Sequence, residues 1–322
     1  MNYNLATLTA RSLVMPAPRI AAILTLTLLA SAATLSTQAL AQGFTFSQLG
    51  INAGHESNVP RGQDGPHKEE SSFVAVEYSI GRLYELGSKN TLVLSASANA
   101  SRFHDLRGFD RTGLGVAANY NYKWSLGAYA PVLSLSASYG IEEYEGDARD
   151  NDLLTLDIAY LKRLSPAWFI TVGADYQASG GDSLPHIQFN DSFSYDAAFG
   201  LPFEVYDYDS TSLYAELEYS FENGMLLSTG LRRVDGYTVS STTQPTLALY
   251  KVADAVYTDP AFKGDWLAYQ LEADTNEWSL GLSIPSGRDS SINFTYSFYD
   301  IAAVSGNSYL NRIASVSYVH NF

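Results

Sequence analysis

Leu92-Val93-Leu94-Ser95-Ala96-Ser97-Ala98-Asn99-Ala100-Ser101 sets Leu92, Leu94, Ala96, Ala98 and Ala100 against Val93, Ser95, Ser97, Asn99 and Ser101. A period of two sends alternate side chains to opposite faces of an extended strand, here one apolar and one small and polar. Leu114, Val116, Ala118, Tyr120 and Tyr122 repeat the pattern, as do Leu133, Leu135, Ala137, Tyr139 and Ile141. It continues through Leu154–Tyr160, Trp168–Tyr176, Leu213–Phe221, Met225–Arg233, Ile292–Phe298 and Leu310–Phe322. No helical period competes with it.

A soluble sandwich also alternates, but three features argue for strands that cross a lipid bilayer. The apolar faces end in aromatics, as in Tyr120/Tyr122/Trp124 and Tyr318/Phe322. The opposite face is Ser, Gly, Asn and scattered acids. Connections alternate in length: 86–90, 123–130, 163–166, 222–224 and 285–290 are short, and between them lie longer segments, 178–210 and 234–264 the longest. Short turns on one side and long loops on the other mark an outer-membrane barrel, which must close because hydrocarbon cannot satisfy an open strand edge. The expected fold is all-β: a transmembrane antiparallel up-and-down β-barrel of about 12 strands, with ten or fourteen as the neighbouring solutions. Within 265–284 the apolar parity shifts from Leu267/Tyr269/Leu271 to Trp278/Leu280/Leu282/Ile284, which predicts a bulge or an intervening loop.

Composition agrees. The net charge is −15, with 34 acidic and 19 basic residues, so the Lys and Arg clusters that nucleic-acid binding needs are missing. There is no cysteine, which excludes disulfides and thiolate sites. Ahead of the strands, Arg11 and Arg19 precede the apolar run 20–35, and Ala39-Leu40-Ala41 supplies a small-x-small cleavage site. Residues 1–41 read as a signal peptide, with Met15 as a possible true start, and 42–322 as the barrel. Residence in the bacterial outer membrane follows.

Two segments carry a family resemblance. Tyr309 to Phe322, alternating and ending in Phe322, looks like the C-terminal signal read by the barrel-assembly machinery, with Tyr318 and Phe322 as its apolar residues. Glu56-Ser57-Asn58-Val59-Pro60-Arg61, after Gly54-His55, resembles a "D-S-N-V-x-R" opening of porin-like barrels. That opening is also found in the barrel part of surface lipoprotein assembly modifiers, whose tetratricopeptide module is not seen here. The resemblance implies the fold and transient handling by the assembly machinery, not modifier activity.

Parity assigns Glu77, Asp157, Asp175, Glu216, Glu218, Arg232 and Glu272 to the lumen, along with Lys123 and Glu142. Carboxylates outnumber bases in this set, which predicts a passive, cation-leaning channel for small solutes. Arg102, Arg233 and Arg312 face outward at strand ends, where they can meet lipopolysaccharide phosphates and outer-membrane lipids. The alternatives are a lipid hydrolase using His55 and Ser57, two apart on one strand, or an adhesive barrel presenting its long loops. The channel is the favoured, non-enzymatic reading. No catalytic residue, metal or cofactor is expected, and no sequence feature selects a solute.

Overall fold

The computed structural model describes residues 43–63, 68–181, 204–243 and 246–322. The expected signal peptide therefore lies outside the described residues, as does most of the 178–210 connection.

Nine strands run up and down in sequence: β1 (Gly43–Glu56), β2 (Ser71–Glu85), β3 (Asn90–Phe103), β4 (Arg111–Lys123), β5 (Val132–Tyr144), β6 (Asn151–Arg163), β7 (Trp168–Gly181), β8 (Tyr208–Ser220) and β9 (Leu226–Thr242). A four-residue strand β10 (Ala255–Thr258) precedes β11 (Leu267–Pro285), β12 (Ser290–Ala303) and β13 (Ser308–Asn321). Each wall strand pairs antiparallel with its neighbour. β11 pairs with β9, bypassing β10, and β13 pairs with β1 from Gln48↔Asn321 to Glu56↔Ile313. The wall is thus a closed barrel of twelve strands, as the periodicity requires.

The outer surface explains the alternation. Val74, Val76, Leu114, Leu135, Leu156, Ile158, Val172, Leu213, Leu231, Leu280 and Phe294 are all exposed on the wall. In a soluble protein such a band would be a liability; in a bilayer it is the solvent-matched face. Near the short-turn rim it gives way to aromatics: Trp168 packs on Tyr219 at 4.8 Å, Tyr219 on Phe221 at 4.8 Å, and Trp124 on Tyr160 at 5.6 Å. Tyr318 and Phe322 lie at this rim, with the backbone N–H of Phe322 donating to the carbonyl of Ser47 at 2.9 Å.

β9 and β11 are longer than the wall needs, at 17 and 19 residues where a tilted membrane strand takes about 9–11. Their register is unbroken from Leu267↔Thr242 to Ser283↔Leu226, so the predicted bulge is absent. The parity shift has another cause. Odd residues of β11 point inward along its whole length; below, Ser279 and Glu277 meet water, whereas above, Tyr269, Leu271 and Ala273 pack on Leu249, Tyr250, Ala253 and Val256. The inner environment changes from wet to dry while the strand continues straight through.

The dry region is a cap. Residues 238–242 of β9 are buried throughout, and β10 adds a third strand to this extension. Its tip, 259–266, reaches the β3–β4 turn on the opposite side of the barrel, where Phe262 stacks on Trp266 at 4.3 Å and meets Phe109 edge-on at 5.1 Å. Gly108 is required there, since a Cβ on it would come within 2.2 Å of the Ala261 Cα. The described residues of the expected long 234–264 connection are therefore ordered structure across the mouth.

Candidate solute pathway

Beneath the cap lies a cavity of about 800 Å³. Its walls carry Tyr144, Tyr206, Tyr208, Tyr214, Tyr299 and Tyr309 and the arginines Arg61, Arg111, Arg149 and Arg232. Sequence parity found only Arg232 among these arginines. Arg61 and Arg149 sit on connections, to which alternation assigns no face, and Arg111 is the first residue of β4.

Three of the four arginines are paired. Arg111 donates to Glu142 at 3.0 Å and to the Tyr144 hydroxyl at 2.8 Å. Arg232 donates to Asp175 at 2.5 Å and to the Ser212 hydroxyl at 2.9 Å, with Glu277 3.9 Å away. Arg149 grips Asp259 of the cap with two hydrogen bonds, Nη2 to Oδ2 at 2.6 Å and Nε to Oδ1 at 3.2 Å. The hydroxyl of Ser241 donates to the same Oδ2 at 2.5 Å, and Asp259 is fully buried. The Arg149 guanidinium also lies over the rings of Phe109 and Tyr206, at 4.3 and 5.1 Å. Burial alone would lower its pKa, but Tyr206 and Asp259 raise it well above the ordinary arginine value, so it remains a cation.

Several carboxylates lie on the inward faces of the wall strands. Asp157 directly opposes Asp175 across β6 and β7 and accepts from the Tyr214 hydroxyl at 2.7 Å. Asp175 holds Arg232. Glu216 and Glu218 share the lumen face of β8, about 7 Å apart at two residues' rise. Among the described residues no hydrogen bond or ion pair holds Glu77, Glu216 or Glu218. Glu272 departs from expectation. It shares the outward face of Trp278 and Leu280 and pairs across the ladder with Tyr237, whereas Glu277 lines the cavity. The assignment had followed the local apolar residues, which face inward at that level.

Outward positions match the parity for Arg102, Arg233 and Arg312, all exposed; Arg233 lies 3.3 Å from Asp274. His55 and Ser57 do not form a pair. The His55 imidazole meets the Ser72 hydroxyl at 3.3 Å, and the Ser57 hydroxyl accepts from the Arg312 backbone N–H at 2.9 Å and donates to Asn311 Oδ1 at 3.4 Å.

A closed twelve-stranded wall with an apolar outer belt, an aromatic rim and a polar interior defines an outer-membrane β-barrel. No protein-family model and no curated protein sequence matches the chain. Among solved structures it is similar to an outer membrane channel from Pseudomonas putida F1, at 15% identity and a TM-score of 0.52, over 89% of this chain and 99% of that one. It is also similar to the translocator domain of the autotransporter NalP from Neisseria meningitidis, at 12% identity and a TM-score of 0.46, over 94% of this chain and 97% of that one. The likeness to the first is one of fold.

Proposed function

We propose that the protein is a passive outer-membrane channel for small solutes whose lower lumen favours cations. The observation that carries this reading is the set of lumen carboxylates Glu77, Glu216 and Glu218, which no hydrogen bond or ion pair holds among the described residues, in a barrel whose cavity arginines are mostly neutralised. Two carboxylates about 7 Å apart repel by about 0.6 kcal/mol in bulk water and about 2.4 kcal/mol at an effective dielectric near 20. A permeating cation relieves that repulsion and an anion adds to it, so a narrow, weakly screened lumen enriches the former. The cap lowers the conductance without changing this sign. Arg102, Arg233 and Arg312 serve as contacts for the lipid and lipopolysaccharide phosphates around the barrel. A hydrolase built on His55 and Ser57 is disfavoured because the two side chains engage other partners.

Reversal potentials in a planar bilayer under a KCl gradient test the reading. Cation preference is expected, reduced in Glu216→Gln/Glu218→Gln. Anion preference in the unaltered protein would refute it.

A further inference from the structure

Arg61 is the one arginine of the cavity without a partner: no side-chain hydrogen bond or ion pair links it to the described residues. It is also the only non-glycine residue with a left-handed backbone among them, at φ 55°. Such a conformation is uncommon for a side chain of this size and persists only where the surroundings impose it. Here they do. Asn58, 1% exposed, donates from Nδ2 to the carbonyls of Gly62 at 2.9 Å and Leu310 at 3.1 Å, and its Oδ1 accepts from the Gly62 N–H at 3.1 Å. The Arg61 N–H donates to the Asn58 carbonyl at 3.1 Å, and the Ser241 N–H of β9 donates to the carbonyl of Pro60 at 2.8 Å. A turn pinned from within, from β13 and from the cap extension thus presents one guanidinium to the chamber.

The side chain is exposed, and it lines the chamber. Burial alone would lower its pKa, but the nearby Tyr309, Tyr208 and Glu56 raise it, so Arg61 is charged. An unpaired guanidinium is built to meet a carboxylate by two parallel hydrogen bonds. The same chamber keeps acids with spare capacity: Glu56, near Arg61, which accepts from Asn311 at 2.7 Å, and Glu216, lower on its wall, which no hydrogen bond or ion pair holds among the described residues. A simple anion would gain Arg61 and be repelled by these acids. A simple cation would gain the acids and be repelled by Arg61. A solute bearing both charges satisfies both.

We infer that the chamber is a binding site for zwitterionic solutes of the amino-acid type, with the carboxylate on Arg61, the ammonium toward Glu56, and the tyrosines flanking the side chain. The site has the size of a small-molecule pocket, typically about 300–1,000 Å³. This inference goes beyond ionic selectivity and does not require that the barrel conduct.

Isothermal titration calorimetry on the full mature chain in detergent tests it, with L-phenylalanine as the probe. Its one-charge counterparts, 3-phenylpropionate and phenethylamine, are the controls. L-Phenylalanine is expected to bind at least tenfold more tightly than either. Arg61→Gly is expected to weaken that binding at least tenfold. Because glycine accepts the left-handed turn freely, the same variant should match or exceed the parent in resistance to heat, which separates lost binding from lost fold. No binding of L-phenylalanine, equal binding of a one-charge control, or full binding by folded Arg61→Gly would each overturn the proposal. Reversal potentials report on the carboxylates independently, so failure of the channel reading and failure of this one are distinguishable.

Discussion

Asn58 shows how much one buried amide can hold. Truncation to alanine removes three hydrogen bonds and strands the Gly62 groups and the Leu310 carbonyl near the rim. With each net bond worth about 1 kcal/mol and stranded partners costing more, Asn58→Ala is expected to destabilise the turn by about 2–4 kcal/mol. Chemical denaturation of the detergent-folded barrel checks this, and Arg61→Gly is expected to offset part of the loss by removing the constraint on φ. The motif around Asn58 and Arg61 was legible in the sequence, but only as a resemblance. The aim of Arg61 was not, because it depends on contacts with Leu310 and Ser241, far along the chain. Arg149 was hidden in the same way: it lies in an acidic connection, and its partner Asp259 is 110 residues distant.

At the level of elements, the cap hairpin is held by a polar latch in an apolar seam. Asp259 is fully buried and its charge is answered by Arg149 and the Ser241 hydroxyl. Arg149→Met keeps the bulk but leaves a buried, uncompensated carboxylate, a loss of about 3–5 kcal/mol. The cap should loosen while the wall persists. Limited trypsin digestion is the measurement: cleavage at the exposed Lys251 and Lys263 is expected to accelerate in the variant, with the wall strands still protected. The limits of sequence reading are clearest on β11. Hydrophobicity reports the medium a face meets, and inference of orientation assumes that medium is constant along a strand. Along β11 it is not, so Glu272 was sent inward, while on β2 through β8 one medium per face kept the alternation steady enough to read.

For the whole molecule, closure predicts a compact wall that resists detergent until heated. Unboiled samples are expected to migrate faster on gels than boiled ones. Deleting Phe322 removes an exposed aromatic at the rim and the N–H bond to Ser47. Its expected effect is slower assembly into the heat-modifiable form, read by pulse-chase, with little change in the stability of molecules already inserted. Most of this architecture was legible because lipid and water impose opposite demands on neighbouring residues, and a two-residue period records both.

The cap is carried by two wall strands that continue past the rim, bonded to each other by an uninterrupted ladder. Mechanically that is a beam built in at its root and tied at its tip, where Phe262 meets Phe109 and Asp259 meets Arg149, and not a flap on a pin. A hinged flap concentrates its bending at one point and swings between two positions. A beam held at both ends spreads load along its length and into the pairing that keeps it stiff. Force on the span would pass down β9 and β11 into one side of the barrel and through the tie at the tip into the other. The cap then braces the mouth against flattening as a strut braces a hoop.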